Sequence, residues 1–171
     1  TLESTIDEGS RFTISLPWRI KGQMLSAINE ADIVEAEDTS RIIEVEKIMH
    51  SEYTILLAED NEKIIELIND YLTSKMFNVI ITRNGKEAID RILKENPDLI
   101  LMDIQMPEIN GLEVIQQIRS DKKFANTPIF ALSALVIPGD REKSISVGAN
   151  EYLKKPISMH KLVNLIEKYL V

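Results

Sequence analysis

The sequence of 171 residues contains no cysteine, which excludes disulfide bonds, thiolate metal sites and cysteine nucleophiles. No apolar run approaches the roughly 20 residues that a bilayer-spanning helix needs. The N-terminal stretch TLESTIDEGS is too polar for a signal peptide. Acidic residues outnumber basic ones by 28 to 20, which argues against a nucleic-acid partner because nucleic-acid phosphates attract lysine and arginine. We therefore expect a cytoplasmic protein that neither inserts into a membrane nor binds nucleic acid.

Apolar residues make up 44% of the sequence, enough for a hydrophobic core. Five short apolar segments have the composition of strands, at 53–58, 78–82, 99–102, 128–133 and 151–155. Segments with helical spacing of apolar residues follow them, at 61–74, from Asn84 to Pro97, around 112–118, at 139–148 and at 159–170. The helix at 139–148 has few apolar residues, so we expect it to be loosely held.

Strict alternation of strands and helices predicts an α/β fold with a parallel sheet covered on both faces. Right-handed crossovers leave few topologies. The best match is a flavodoxin-like, doubly wound sheet of five strands in the order 2-1-3-4-5 with five helices, whose site lies at the carboxyl ends of the first and third strands. An N-terminal tail and a linker precede this fold.

Polar side chains stand at the carboxyl ends of four of the five predicted strands. Glu59 and Asp60 follow the first strand, Asp103 follows the third, Ser133 ends the fourth and Lys155 ends the fifth. Because parallel strands end at the same edge of a sheet, we expect three carboxylates, a hydroxyl and an ammonium group to share one cleft.

Three neighbouring carboxylates repel one another, and a divalent cation removes that repulsion. Mg²⁺ prefers oxygen ligands and is commonly bound by carboxylates together with phosphate oxygens. Asp103 then has a chemical use, because a carboxylate that attacks a phosphoryl group forms an aspartyl phosphate. Lys155 and the cation would neutralise the transferring oxygens, and Ser133 would donate a hydrogen bond to one of them.

Residues 53–171 resemble the CheY-like receiver domain of bacterial two-component response regulators. The matching motifs are LLAEDN, LMDIQMP, PEINGLEV, ALSA and EYLKKP, which contain the strand-end residues together with Gly111, Tyr152 and Pro156. Each motif alone is weak, and their joint order and placement at strand ends make the match specific.

The resemblance implies that Asp103 accepts a phosphoryl group from a phosphohistidine. The donor would be the dimerisation domain of a kinase or a histidine phosphotransfer protein. Mg²⁺, for which Mn²⁺ can substitute, would be held by Glu59, Asp60, Asp103 and the backbone carbonyl of Gln105. The domain would phosphorylate itself and slowly dephosphorylate itself at Asp103.

The resemblance also assigns conformational roles. Ser133 and Tyr152 are the expected switch residues, while Gly111 and Pro156 have structural roles. The peptide bond that precedes Pro156 is expected to be cis, an isomer that costs little before proline. The face formed by residues 138–171 is the expected surface for output and for a homodimer.

The segment LESTIDEGSRFTISLPW (2–18) is similar to the closing hairpin of the ATP-binding domain of sensor histidine kinases. The nucleotide-binding motifs and the phosphoacceptor region of such kinases are absent from the sequence, and His50 lacks the expected context of a phosphoacceptor. We therefore expect a C-terminal piece of a hybrid histidine kinase, with a kinase tail at 1–18, a partly helical linker at 19–52 and a receiver at 53–171. The parent kinase can be membrane-anchored.

Three other functions fit parts of the pattern. A degenerate receiver would act as an interaction module that does not depend on phosphorylation. A hydrolase that forms an aspartyl phosphate generally needs a second aspartate two positions beyond the nucleophile, where Gln105 stands. A flavin-binding module needs a phosphate-binding loop after the first strand, where EDNEK carries negative charge instead.

Leu135 stands two residues after Ser133, at one of two positions that influence phosphate lifetime in receivers. Because leucine cannot orient an attacking water molecule, we predict slower self-dephosphorylation than in relatives with an acid or an amide there. Loss of phosphate is timed in the wild type and in Leu135→Glu, and the variant should lose it faster. Equal rates would reject the assignment.

Overall fold

A computed structural model describes residues 2–5, 9–12, 50–134 and 138–170. The predictions for most of the linker, and the prediction for Leu135, lie outside the described residues. Among the helices that are described, none combines the length and apolar character needed to cross a membrane.

A short hairpin lies within the first of two compact units of the chain. Its strands β1 (Leu2–Thr5) and β2 (Gly9–Phe12) pair in antiparallel fashion. The assignment of residues 2–18 to the closing hairpin of a kinase domain stays a prediction. The hairpin and the larger α/β fold belong to separate compact units.

Among the described residues of the larger unit, five strands alternate with five α-helices. The elements are β3 (Thr54–Ala58), α1 (Glu62–Ser74), β4 (Asn78–Thr82), α2 (Gly85–Glu95), β5 (Leu99–Asp103), α3 (Gly111–Ser120), β6 (Ile129–Ser133), α4 (Asp140–Ser146), β7 (Glu151–Lys154) and α5 (Met159–Leu170). All neighbouring strands of the sheet are parallel, in the order β4-β3-β5-β6-β7. The predicted flavodoxin-like order 2-1-3-4-5 is confirmed.

Asparagine side chains fix the starts of three helices. Asn61, Asn84 and Asn110 precede α1, α2 and α3, and each side chain accepts hydrogen bonds from backbone amides of the first helical turn. Such caps satisfy amides that have no partner within the helix. Because α1 and α3 follow strands β3 and β5, their caps also set where the chain turns at the carboxyl edge of the sheet.

Hydrophobic clusters cover both faces of the sheet. The central strands β5 and β6 are buried along their whole length, whereas β4 and β7 at the edges are partly exposed. One cluster joins the sheet to α2 and α3, and the other joins it to α1 and α5. Helix α4 has seven residues and contributes only Ser144 to the buried side chains, in agreement with its weak apolar pattern.

His50 packs onto the larger unit just before β3. Its buried ring stacks on Phe77, with 4.3 Å between ring centroids. Its Nδ1 lies 2.9 Å from the carbonyl oxygen of Lys75, and its Nε2 lies 3.4 Å from Glu167 on α5. These contacts give His50 a packing role and connect the start of the fold to α5.

Candidate functional site

Backbone hydrogen bonds continue the parallel pairing one residue beyond the strands and so align the polar strand ends. The amide of Glu59 donates to the carbonyl of Thr82 at 3.0 Å, and the amide of Lys155 donates to the carbonyl of Ser133 at 2.8 Å. Asp103, the last residue of β5, lies opposite Leu132 of β6. The fold therefore places these side chains at one edge of the sheet.

Three carboxylates meet at this edge. Glu59, Asp60 and Asp103 each offer an oxygen, and these oxygens all lie within 4.8 Å of one another. Glu59 is 1% exposed and Asp103 is 3% exposed, whereas Asp60 is open to solvent. The cluster thus has a buried floor and an accessible side through which an ion can enter.

Lys155 connects two of the three carboxylates. Its ammonium contacts a carboxylate oxygen of Glu59 and lies 3.0 Å from Oδ2 of Asp103. The Lys155 side chain is only 9% exposed, so both ion pairs are shielded from water. Two negative charges of the cluster remain unbalanced when all three carboxylates are ionised.

The environment of Glu59 reflects this imbalance. Burial raises the pKa of the Glu59 carboxyl above its usual value, and the nearby Asp103 charge acts in the same direction. The hydrogen bond from Lys155 and the backbone amide of Asn61 oppose that shift in pKa. A bound cation would favour the ionised carboxylate, because a nearby positive charge stabilises it.

The donor set fits a hard divalent cation. All three side-chain groups are carboxylates, and Mg²⁺ prefers oxygen ligands while it retains several waters. The two negative charges left by Lys155 equal the charge of one such cation. The exposed position of Asp60 leaves room for the water ligands that Mg²⁺ keeps.

Gln105 lies beside the phosphoacceptor candidate. Its backbone amide donates to Oδ1 of Asp103 at 3.3 Å, and its side chain is exposed. The sequence-based role of its carbonyl as a metal ligand stays a prediction.

The remaining candidate residues lie on, or just after, strands β6 and β7. Ser133 is 1% exposed and ends β6, next to β5. Tyr152 lies on β7 opposite Ala131 and packs against the hydrophobic cluster that joins the sheet to α2 and α3. The peptide bond between Lys155 and Pro156 is cis, as the resemblance implies.

Gly111 permits a close approach of two backbone segments. A Cβ atom at this position would lie 2.0 Å from the carbonyl oxygen of Asp103 and 3.0 Å from the Cα atom of Ile104. The Gly111 amide donates to the carbonyl of Ile104 at 3.0 Å. Helix α3 can therefore begin directly against the end of β5 only because residue 111 has no side chain.

Two residues that contribute to the site were missed in the sequence. Asn61 caps α1 through its side chain, and its amide donates to Oε1 of Glu59 at 3.3 Å. Gly85 begins α2 and contacts the loop after Asp103. The Asn61 cap was recognisable from an asparagine directly before the periodic segment, whereas the contact of Gly85 depends on how two distant segments pack.

Comparison with known proteins identifies relatives of the larger unit. The profile of the response regulator receiver domain matches residues 55–167. The polar-differentiation response regulator DivK of Brucella anthropi is 38% identical over 117 residues, covering 68% of this chain and 95% of the relative.

Solved structures give the same result. The receiver domain of sensor histidine kinase PA1611 from Pseudomonas aeruginosa is 31% identical, with a TM-score of 0.65 over 69% of this chain and 97% of that one. That structure has a magnesium ion coordinated in the active-site cleft. The BeF3-activated receiver domain of Klebsiella pneumoniae RstA is 27% identical, with a TM-score of 0.64 over 68% of this chain and 97% of that one.

Gly111→Ala should lower the free energy of unfolding by about 3 kcal/mol, because the added methyl group would overlap backbone atoms that cannot move aside. NMR amide signals of Asp103 and Ile104 should shift. Gly139→Ala is the control, since a Cβ there meets nothing within 4 Å. It should cost about 1 kcal/mol for its left-handed backbone conformation and leave those signals in place. An equal loss in the free energy of unfolding, with the amide signal of Asp103 unshifted in both variants, would contradict this role of Gly111.

Proposed function

Because this chain belongs to the response regulator receiver domain family over residues 55–167, we propose that it is a phosphorylation-switched signalling domain whose phosphoacceptor is Asp103. Receiver domains take phosphoryl groups from histidine kinases or phosphotransfer proteins, so the proposed donor is a phosphohistidine on one of these. One observation carries the proposal: the buried Asp103 carboxylate lies beside Lys155 within a cluster of three carboxylates.

The proposed reaction is a phosphoryl transfer between two proteins. A carboxylate oxygen of Asp103 attacks the phosphorus atom, and the nitrogen–phosphorus bond of the donor breaks as the oxygen–phosphorus bond forms. The electron pair of the broken bond stays on the imidazole nitrogen, which then takes up a proton. Lys155 stabilises negative charge on the transferred oxygens, and Ser133 donates a hydrogen bond to one of them. The same site slowly releases the phosphate again by hydrolysis.

Receiver domains bind Mg²⁺ at an acidic pocket, and the donor set described above fits that ion. The proposed ligands are the side chains of Glu59, Asp60 and Asp103 together with the carbonyl of Gln105, and Mn²⁺ is proposed as a substitute. When bound, the cation supplies positive charge that neutralises the carboxylates and the phosphoryl oxygens.

The proposed switch uses the neighbouring strands. Ser133 moves toward the phosphate and Tyr152 turns inward behind it, while Gly111 and Pro156 maintain the backbone of the site. Helix α4 follows β6 and is held by few buried side chains. This suits an element whose equilibrium between two conformations a single phosphate can shift. We propose that the surface formed by residues 138–171 carries the output and allows a homodimer.

We also propose that the chain is the C-terminal part of a hybrid histidine kinase. In this proposal, residues 1–18 end the kinase domain, residues 19–52 link the domains and residues 53–171 form the receiver. The antiparallel hairpin of β1 and β2 supports the first assignment, and a receiver of a sensor histidine kinase is among the related structures. Because histidine kinases consume ATP, the proposed location of the site is the cytoplasm.

The alternative is a degenerate receiver that binds partners without being phosphorylated. Such a domain has no need for a buried acceptor carboxylate paired with a lysine. The ion pair between Lys155 and Asp103 therefore favours the phosphoacceptor, and the two functions make opposite predictions.

Incubation with acetyl phosphate and Mg²⁺ should add one phosphoryl group to the wild-type chain, detected by intact mass. The product should be sensitive to hydroxylamine, because an aspartyl phosphate is an acyl phosphate. Asp103→Asn should abolish the gain in mass, and omission of Mg²⁺ should strongly reduce it. Asp90→Asn is the matched control, since Asp90 is exposed on α2 and lies outside the cluster.

Phosphorylation that persists in Asp103→Asn would contradict the assignment of the acceptor. A wild-type chain that remains unmodified by acetyl phosphate and whose NMR spectrum does not respond to beryllofluoride with Mg²⁺ would support the degenerate receiver instead.

A further inference from the structure

The loop from residue 104 to residue 110 joins the phosphoacceptor strand β5 to helix α3. It begins at the site, because the amide of Gln105 donates to Oδ1 of Asp103 at 3.3 Å. A shift of this loop would therefore move Gln105 relative to Asp103. Whatever fixes the path of the loop also fixes part of the proposed cation site.

The apex of the loop is strained. Glu108 has a φ of 67°, a left-handed conformation that is unfavourable for residues with a side chain. The amide of Ile109 donates to the carbonyl of Pro107 at 2.9 Å, so the chain reverses around Glu108 in a turn closed by a hydrogen bond over two residues. Such a conformation persists only where the surrounding structure holds it.

Helix α2 supplies one of the contacts that hold the loop. Gly85 is its first residue and is buried. A Cβ at position 85 would lie 2.3 Å from the carbonyl oxygen of Ile109 and 2.7 Å from its Cβ. The backbone of α2 thus rests directly on Ile109, whose side chain packs against the hydrophobic cluster below.

The Ile109 atom nearest to that hypothetical methyl group belongs to the backbone. A flexible side chain could turn away from the methyl group, but a backbone carbonyl moves only if the loop moves with it. Helix propensity alone would make the substitution stabilising, because alanine has a higher helix propensity than glycine. The Asn84 side chain caps α2 through the amide of Glu87, and this bond does not involve residue 85. The cost of a side chain at position 85 therefore falls mainly on the loop.

We propose that Gly85 is a positioning residue of the phosphorylation site. By leaving space for Ile109, it lets α2 hold the strained loop and thereby places the Gln105 backbone beside Asp103. This inference rests on the proposed function, since it concerns the same cation site.

The test compares Gly85→Ala with Ala88→Gly in the 171-residue chain. Both changes lie in α2, and each alters the side chain by one methyl group. Ala88 is fully buried in the hydrophobic cluster against which Ile109 packs. Mg²⁺ is titrated while the amide signals of Gln105 and Asp103 are followed by NMR, and urea unfolding gives the stability of each variant. Gly85→Ala should raise the Mg²⁺ dissociation constant by about tenfold, as expected for a residue that orients metal ligands. Ala88→Gly should destabilise the fold but leave the dissociation constant unchanged.

Equal dissociation constants in Gly85→Ala and the wild type would overturn the inference, and so would equal shifts in both variants. If Gly85→Ala does not fold, Ile109→Gly tests whether the support of the loop controls the site, because it removes the side chain that packs against the hydrophobic cluster. It should also raise the Mg²⁺ dissociation constant, and an unchanged value would overturn the inference. A wild-type chain that binds no Mg²⁺ would instead refute the proposed function, and the role of Gly85 with it.

Discussion

The structure depends on how it accommodates negative charge at the carboxyl end of β5. Asp103 and Glu59 are almost fully buried, and buried carboxylates are costly unless they are paired. Lys155 pairs with both of them but leaves two charges of the cluster unbalanced when Asp60 is included. A divalent cation would offset this excess of negative charge, whereas a dianionic phosphoryl group would add to it.

The strands and both faces of the sheet contribute to the geometry of this charged cluster. Strands β3, β5, β6 and β7 bring acid, acid, hydroxyl and ammonium groups to one edge, because all of them run in the same direction. The central strands lie between two hydrophobic clusters, so the floor of the site cannot easily relax. The loops above the floor are fixed by close backbone contacts at Gly85 and Gly111. Rigid support below and a strained loop above together give the carboxylates a defined geometry.

Much of this arrangement was predictable from sequence. The apolar runs that end in Asp103 and Ser133 predicted central buried strands. The strand order was chosen as the best match among the few topologies that alternation and crossover handedness allow. The convergence of Glu59, Asp60 and Asp103 followed in turn from that order. These features were accessible because each depends on a local pattern combined with a general rule of topology.

Other features depend on distances that no local pattern encodes. The contact between Gly85 and Ile109 joins two segments through backbone atoms. Glu108 adopts a left-handed conformation although it is neither glycine nor asparagine, the residues that usually indicate one. The packing of His50 between Phe77 and Glu167 likewise required the positions of α5 and of the loop after α1. In each case the identity of the residue permits the contact, and tertiary packing selects it.

Paramagnetic broadening by Mn²⁺ tests the central claim most directly, because its reach is short and its centre can be mapped on the amide NMR spectrum. The account predicts that substoichiometric Mn²⁺ broadens the amides of Glu59, Asp60, Asp103 and Gln105 first, and that excess Mg²⁺ restores them. Broadening centred elsewhere, or spread evenly over the acidic surface and insensitive to Mg²⁺, would contradict it.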